Sequence, residues 1–207
     1  MFCSALLALL VLTACGGDDS YDGQQQSEQH GADARIATHS KGNSPTIPGG
    51  TTIAGITFTP PSYWKNLEAS GMRQAQFRLP PVQGDTAEGE VNVYYFGPQS
   101  GGGVEANLQR WIGQITLPNG EDPASVAKRS TFTADDMPGH VVSLNGSYKN
   151  GGGRPMGGGG ELLPDYRLVG VVLEGPEGSL FFKLTGPLAT AKVMETELMK
   201  MVEGARQ

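Results

Sequence analysis

The stretch YRLVGVVLEGPEGSLFFKL, residues 166–184, decides the fold of this 207-residue chain. Two apolar runs, 166–173 and 179–184, flank the turn residues Pro176, Glu177 and Gly178. Short apolar and β-branched runs separated by such a turn are typical of two antiparallel strands joined as a hairpin. We therefore predict a strand hairpin close to the end of the chain.

Two amphipathic helices are expected beside these strands. The first follows the glycines at 101–103, and its apolar residues Val104, Leu108, Trp111, Ile112 and Ile115 share one helical face. That face leaves Glu105, Asn107, Gln109, Arg110 and Gln114 for solvent, and the helix is expected to end at residues 118–120. Trp111 is the predicted core anchor. Pro187 opens the closing helix, whose apolar stripe is Val193, Met194, Leu198, Met201 and Val202.

Further strands are indicated by short apolar runs that Gly and Pro interrupt. They are predicted at 53–58, 72–79, 91–96, 126–132 and 140–148, with a turn around residues 135–139. The order is then three strands, a helix, four strands and a helix. This order predicts an α+β fold, an antiparallel sheet of about six to seven strands with two packed helices.

Two segments of this domain resemble known families. Tyr95-Phe96-Gly97-Pro98 leads through glycines into a helix with Trp111, and Phe181-Phe182-Lys183-Leu184-Thr185-Gly186-Pro187 precedes the last helix. These residues resemble a family of uncharacterised bacterial lipoproteins. The element order is also similar to the PsbP-like α/β/α sandwich of photosystem accessory subunits and mycobacterial lipoproteins. Neither resemblance implies a catalytic motif at these positions, and a fold does not fix a function.

The amino terminus has the pattern of an export signal. Residues 5–12 are almost all Leu, Ala and Val, a run too short to span a bilayer, which needs about 20 apolar residues. The next residues, Leu12, Thr13, Ala14 and Cys15, resemble the lipobox of bacterial lipoproteins. That resemblance implies cleavage between Ala14 and Cys15 and lipidation of Cys15 with palmitate-type acyl chains. Secretion signals usually begin with Lys or Arg, which this run lacks, so we expect the true start upstream of Met1.

The chain is predicted to have three parts. Residues 1–14 form the signal peptide, and residues 15–50 are the lipidated cysteine and a flexible tether with too few apolar side chains to offset ordering entropy. Residues 51–207 form one globular domain, with a mobile glycine-rich loop at 150–160. Cys3 leaves with the signal and lipid occupies Cys15, so no free thiol remains for disulfides, metal binding or catalysis.

Composition and motifs exclude several functions. A net charge of −6 and the absence of a Lys/Arg run argue against nucleic acid binding. His140 is the single histidine of the folded region, and the pairs Asp135-Asp136 and Glu121-Asp122 are read as turn residues. The glycines at 97–103 lack the Lys-Ser or Lys-Thr of a phosphate loop. We therefore predict no catalytic, cofactor-binding or metal-binding residue. Trp64 is predicted to be either a core residue or an exposed anchor.

Three functions remain open. The leading hypothesis is a lipid-anchored, non-enzymatic domain in the cell envelope that binds a protein partner or assists assembly, on the outer side of the cytoplasmic membrane or in the outer membrane. A hydrolase of envelope material with an unrecognised site is one alternative, which a cluster of perturbed carboxylates in a cleft would favour. The other is a carrier, which an apolar pocket would favour.

Overall fold

The structure, a computed structural model, describes residues 49–151 and 160–207. The predicted signal peptide, the Ala14–Cys15 cleavage site and lipidated Cys15 lie outside the described residues. So do residues 16–48 of the predicted tether and 152–159 of the glycine-rich segment. Among the described residues, no helix is both long and apolar enough to cross a bilayer.

Ten strands and two helices are formed by the described residues of the domain. The first half contains β1 (Thr51–Ile53), β2 (Ile56–Phe58), β3 (Lys65–Leu67), β4 (Arg73–Leu79), β5 (Gly89–Tyr94) and α1 (Val104–Ile112). The second half contains β6 (Ile115–Thr116), β7 (Lys128–Ala134), β8 (Met137–Lys149), β9 (Leu162–Gly175), β10 (Gly178–Pro187) and α2 (Leu188–Glu203), with a short 3-10 turn at Pro123–Ser125 before β7.

Eight strands form one antiparallel sheet. Its order is β3-β4-β5-β10-β9-β8-β6. The eighth strand, β7, pairs with residues 137–143 of β8 on the edge where β6 pairs with residues 147–148. Strands β1 and β2 form a separate hairpin. The predicted hairpin at 166–184 is confirmed, because β9 and β10 pair from Tyr166 and Pro187 up to Gly175 and Gly178. These two strands are the centre of the sheet, which explains their nearly continuous apolar sequence.

Alternation along β9 separates two cores. Val169, Val171 and Leu173 face one side, where they join the buried Met194 and Leu198 of α2. Leu168 and Val172 face the other side, where they join Leu108, Trp111 and Ile112 of α1. Because successive strand residues point to opposite faces, α1 and α2 cover opposite sides of the sheet. The result is three layers, helix on sheet on helix.

The α+β class and the antiparallel sheet with two packed helices are confirmed. The sheet has eight strands, beyond the expected six to seven, because β3 and β6 are two- or three-residue pieces without a strand-like pattern. The predicted single strand at 53–58 is two strands, turned at Ala54 and Gly55, which both adopt positive φ.

The predicted end of α1 was wrong. The helix ends at Ile112, and the backbone N–H of Gly113 closes it on the carbonyl of Gln109. Ile115 leaves the helix and pairs with Tyr148 as β6, although its side chain still joins the same core. The apolar spacing alone could not show that Ile115 reaches the core from a strand.

Three other expectations need correction. Val193 was assigned to the apolar stripe of α2 but is 44% exposed, whereas the other four residues of the stripe are buried. Asn107 was assigned to solvent but is buried. The turn between β7 and β8 is Asp135-Asp136 alone, with Pro138 and Gly139 already in β8.

Candidate functional site

Helix α1 covers only half of its face of the sheet. Its Trp111 lies over Gly170 of β9, where any side chain would collide with the indole ring. On β4, β5 and β10 the same face carries polar side chains instead. The pairing aligns them in rows across the strands: Gln76 with Asn92 and Lys183, and Arg78 with Glu90 and Thr185. The uncovered half of the sheet is therefore a polar surface beside a helix.

A cavity of about 350 Å³ opens on this surface. Its lining includes Arg73, Glu90, Asn92, Tyr148, Lys183 and Thr185. We call it the polar pocket. Strand pairing places these side chains, because alternate residues of β5 and β10 point to this face while Val91, Val93 and Leu184 point to the opposite core.

Glu90 is held by three neighbours at one end of the polar pocket. Its carboxylate accepts from Gln76 Nε2 at 2.9 Å, from the guanidinium of Arg78 at 3.3 Å and from the Asn92 amide. Burial raises the pKa of Glu90, but the hydrogen bonds from Asn92 and Gln76 and the charge of Arg78 outweigh it and hold the pKa below its ordinary value of 4.5. Glu90 is therefore ionised at neutral pH and fixed in place.

Lys183 lies in the middle of the polar pocket. Its Nζ donates to Tyr148 Oη at 3.1 Å and to Gln114 Oε1 at 3.4 Å, and it lies 5.5 Å from the centroid of the Tyr148 ring. Burial lowers the pKa of Lys183, although the charge of Glu90 opposes this effect. Within residues 49–151 and 160–207 it forms no salt bridge. The ammonium is thus desolvated without a carboxylate contact.

Two residues that line the polar pocket each have one buried polar atom without a hydrogen-bond partner among the described residues. One is Asn92 Oδ1, on a side chain that is 2% exposed, and the other is Arg73 Nε. The Asn92 amide must turn its NH₂ group to the Glu90 carboxylate, so its oxygen points away from that carboxylate. A buried polar atom without a partner costs about 1–3 kcal/mol, which a suitable ligand atom would recover.

The residues singled out from the sequence lie elsewhere. Trp111 is 6% exposed in the core beneath α1. Trp64, for which two environments were considered, is buried against Phe77, while neighbouring Tyr63 is 55% exposed. Ala14 and Cys15 are outside the described residues. In the part of the chain that the structure describes, no group of three or more His, Cys, Asp or Glu side chains could hold a metal ion.

His140 has a carboxylate neighbour that the sequence did not reveal. Glu174 Oε1 lies 2.9 Å from His140 Nε2. The pairing of His140 with Val172 brings Glu174, two residues further along β9, to the same face. Both side chains are at the surface, 30% and 44% exposed. No nucleophile hydrogen-bonds to this pair among the described residues.

The remaining candidate segments have local structural roles. Asp135 and Asp136 form the two-residue turn before β8, and the Asp122 side chain accepts from the N–H of Ala124 in the 3-10 turn. The glycines at 101–103 precede α1, where the buried Asn107 donates to their carbonyls, at 2.8 Å for Gly101. Asn107 therefore closes the glycine loop from inside, which explains its burial.

The polar pocket was missed by sequence reasoning, although a signal was present. Gln76, Asn92 and Lys183 each interrupt an apolar strand at the position that faces α1's side of the sheet. Such interruptions are ordinary on a solvated sheet face. What distinguishes these three is that strand pairing aligns them in one row, and pairing partners cannot be read from one sequence.

Comparisons with known proteins give a coarse likeness of fold. No protein-family model matches the chain, and no curated protein matches it. Among solved structures, it is similar to the Pseudomonas aeruginosa protein PA94, of unknown function, with 13% identity, a TM-score of 0.41 and coverage of 69% of this chain and 95% of that one. It is also similar to the cyanobacterial PsbP protein CyanoP of Synechocystis sp. PCC 6803, with 10% identity, a TM-score of 0.43 and coverage of 74% and 86%. The resemblance to a lipoprotein family finds no support here, and both structural likenesses concern only the general arrangement of strands and helices.

Proposed function

We propose that this protein is a lipid-anchored, non-enzymatic binding protein of the cell envelope, and that the polar pocket holds a small polar ligand. One observation carries the binding role: a cavity lined by Lys183, which has no carboxylate contact, and by Asn92 and Arg73, whose buried Oδ1 and Nε atoms have no hydrogen-bond partner among the described residues. Ligand sites are concave, begin at volumes of about 300 Å³ and hold a few precisely placed polar groups in a mostly apolar lining. The polar pocket has such a volume and such polar groups, and its mainly polar lining suits a polar ligand.

Binding suits these residues better than hydrolysis does. A general acid or base works best when its pKa lies near the operating pH. The hydrogen bonds to Glu90 hold its pKa below its ordinary value, and therefore further from neutral pH. The alternative of an envelope hydrolase would need a nucleophile beside a base. The one His–Glu pair, His140 with Glu174, lies at the surface without such a neighbour among the described residues.

A carrier of an apolar ligand is the other alternative. The polar pocket does not suit it, because an apolar molecule there would bury Lys183 and Asn92 Oδ1 without offering them partners. A wider groove between α1 and the β7–β8 edge is lined by Val104, Leu108 and Val141, but also by Glu105, Arg129 and His140. The polar ligand therefore remains the better proposal.

The location is proposed from the sequence alone. The run Leu12-Thr13-Ala14-Cys15 after an export-type apolar stretch supports lipid on Cys15, on the outer side of the cytoplasmic membrane or in the outer membrane. Several acyl chains anchor a protein stably where one would exchange. A partner protein of the envelope is proposed as well, and crosslinking of the lipidated protein in its own membranes would capture it.

Ligand capture tests the binding role. The full-length protein, purified in detergent, is incubated with a small-molecule extract of its own cells, washed and denatured, and the released compounds are identified by mass spectrometry. We expect one or a few polar compounds enriched over Lys183→Met, and equal enrichment with the matched control Lys128→Met on the exposed edge strand β7. The proposal is wrong if the wild-type protein releases nothing that folded Lys183→Met does not also release.

A further inference from the structure

We propose that the ligand of the polar pocket is an amino-acid-like zwitterion, with its carboxylate at Lys183 and Arg73 and its ammonium group at Asn92 Oδ1 and the Glu90 end. This inference rests on the proposed binding role and adds the chemical class of the ligand. It is carried by the order of charges along the strands and by the two atoms left without partners.

Charge changes sign along the polar pocket. Glu90 lies opposite Thr185, Asn92 lies opposite Lys183 in the next row, and Tyr94 lies opposite Arg73 in the row after that. Rows on one sheet face are two residues apart, about 7 Å at roughly 3.3–3.4 Å per residue. The row of Glu90 is thus about 7 Å from the row of Asn92 and Lys183, and Arg73 lies one row further on. Glu90 is the acidic end of the pocket, and Lys183 with Arg73 is the basic end.

Each end has an excess charge of its own. At the acidic end, the carboxylates of Glu88 and Glu90 share the single guanidinium of Arg78. At the other end, Lys183 and Arg73 have no carboxylate contact in the described part of the chain. A ligand with one charge would satisfy one end and be repelled by the other. A dipolar ligand satisfies both.

The unpartnered atoms have the complementary chemistry. Arg73 Nε is a donor at the basic end and needs an acceptor, which a carboxylate supplies. Asn92 Oδ1 is an acceptor beside the acidic end and needs a donor, which an ammonium group supplies. A hydroxyl would also donate to Asn92, but the neighbouring carboxylates favour a cation. A phosphate dianion would face Glu90 and Glu88 with like charge.

Isothermal titration of the full-length protein with matched compounds tests the class. The probes are neutral amino acids from glycine to L-phenylalanine, each beside the 2-hydroxy acid and the amine of the same side chain, as in L-alanine, L-lactate and ethylamine. Inorganic phosphate is a further probe. We expect at least one amino acid to bind about tenfold or more tightly than its hydroxy acid, its amine or phosphate, since each lost partner removes a charge-assisted hydrogen bond.

Variants then assign the two ends. Lys183→Met should weaken amino-acid binding about tenfold or more, Asn92→Leu should do the same, and Lys128→Met should leave it unchanged. Circular dichroism and melting confirm that each variant is folded. The wild-type titrations do not depend on the variants and decide the class even if one of them fails to fold.

The outcomes separate this inference from the proposed function. If no amino acid binds better than its hydroxy acid or amine while ligand capture still enriches another polar compound, the zwitterion is wrong and the binding role stands. If phosphate or the hydroxy acid binds most tightly, the pocket is an anion site and the assignment of the Glu90 end is wrong. If neither titration nor capture detects a ligand, both proposals fail.

Discussion

Replacing Trp111 and Gly170 separately and together tests how α1 is seated on the sheet. Trp111 is 6% exposed, and a Cβ on Gly170 would overlap the indole carbons Cε3 and Cζ3. Trp111→Ala removes a large buried side chain and should cost about 3–5 kcal/mol of unfolding free energy. Gly170→Ala overpacks the same contact and should cost about 1–3 kcal/mol.

The double variant provides the decisive measurement. With the indole absent, the added methyl group has room, so Gly170→Ala should then be nearly neutral. The double variant should therefore cost about 1–3 kcal/mol less than the sum of the two single variants. Urea unfolding followed by circular dichroism gives all four free energies, with Gln109→Ala on the exposed face of α1 expected to change stability by less than about 0.5 kcal/mol. Additive costs would show that the indole does not lie on Gly170. An unchanged melting temperature for Trp111→Ala would show that Trp111 is not a core residue.

Four further predictions concern other parts of the chain. Cys15→Ser should move the protein from the membrane to the soluble or unprocessed fraction, and retention in high salt would require another anchor. Asp85→Ala should cost about 1–3 kcal/mol, because the Asp85 carboxylate accepts from both Thr190 N and Thr190 Oγ1 at 2.6 Å at the start of α2; Asp85→Asn, which keeps one acceptor, should cost less. Asp136→Gly should raise the unfolding free energy by up to about 1 kcal/mol, and with it the melting temperature, because Asp136 has a φ of 63° in a two-residue turn that favours glycine. A lower melting temperature would mean that the Asp136 side chain stabilises the turn. Glu90→Gln should flatten the dependence of unfolding free energy on pH in the acid range. A carboxyl whose pKa is lowered on folding stabilises the protein above its ordinary pKa of 4.5, and it loses that contribution as the pH falls through the pKa of the folded state. Equal acid profiles for the two proteins would contradict the role of Glu90.

The central part of the fold could be predicted from the sequence because its pattern is local. The hairpin of β9 and β10 has two apolar runs and a turn between them, and both helices have an apolar face. The end of α1 could not be predicted in this way. Ile115 continues the helical spacing, yet it reaches the same core from β6 after Gly113 ends the helix. Periodicity shows which residues are buried more reliably than it shows the backbone that carries them.

The candidate site depends on long-range pairing, which one sequence does not contain. Asn92 and Lys183 are neighbours only because β5 pairs with β10 across most of the domain's length. Asn107 shows the same limit, since its position on the polar side of a helical wheel gave no hint of the glycine carbonyls that it meets. Buried polar residues are therefore predicted least well, although they carry the most information about a site.

The core beneath α1 and the polar pocket are parts of one arrangement. Trp111 packs on Gly170 in the last turn of α1, and two residues after the helix ends Gln114 places its Oε1 3.4 Å from Lys183 Nζ. The N–H of Lys149 donates to the backbone carbonyl of Gln114 at 2.8 Å, so this position is held from β8 as well. Lys183 is therefore oriented by elements whose own positions are set by apolar packing. A pocket preorganised in this way loses little side-chain entropy on binding, which favours affinity for a small ligand without any movement of the fold.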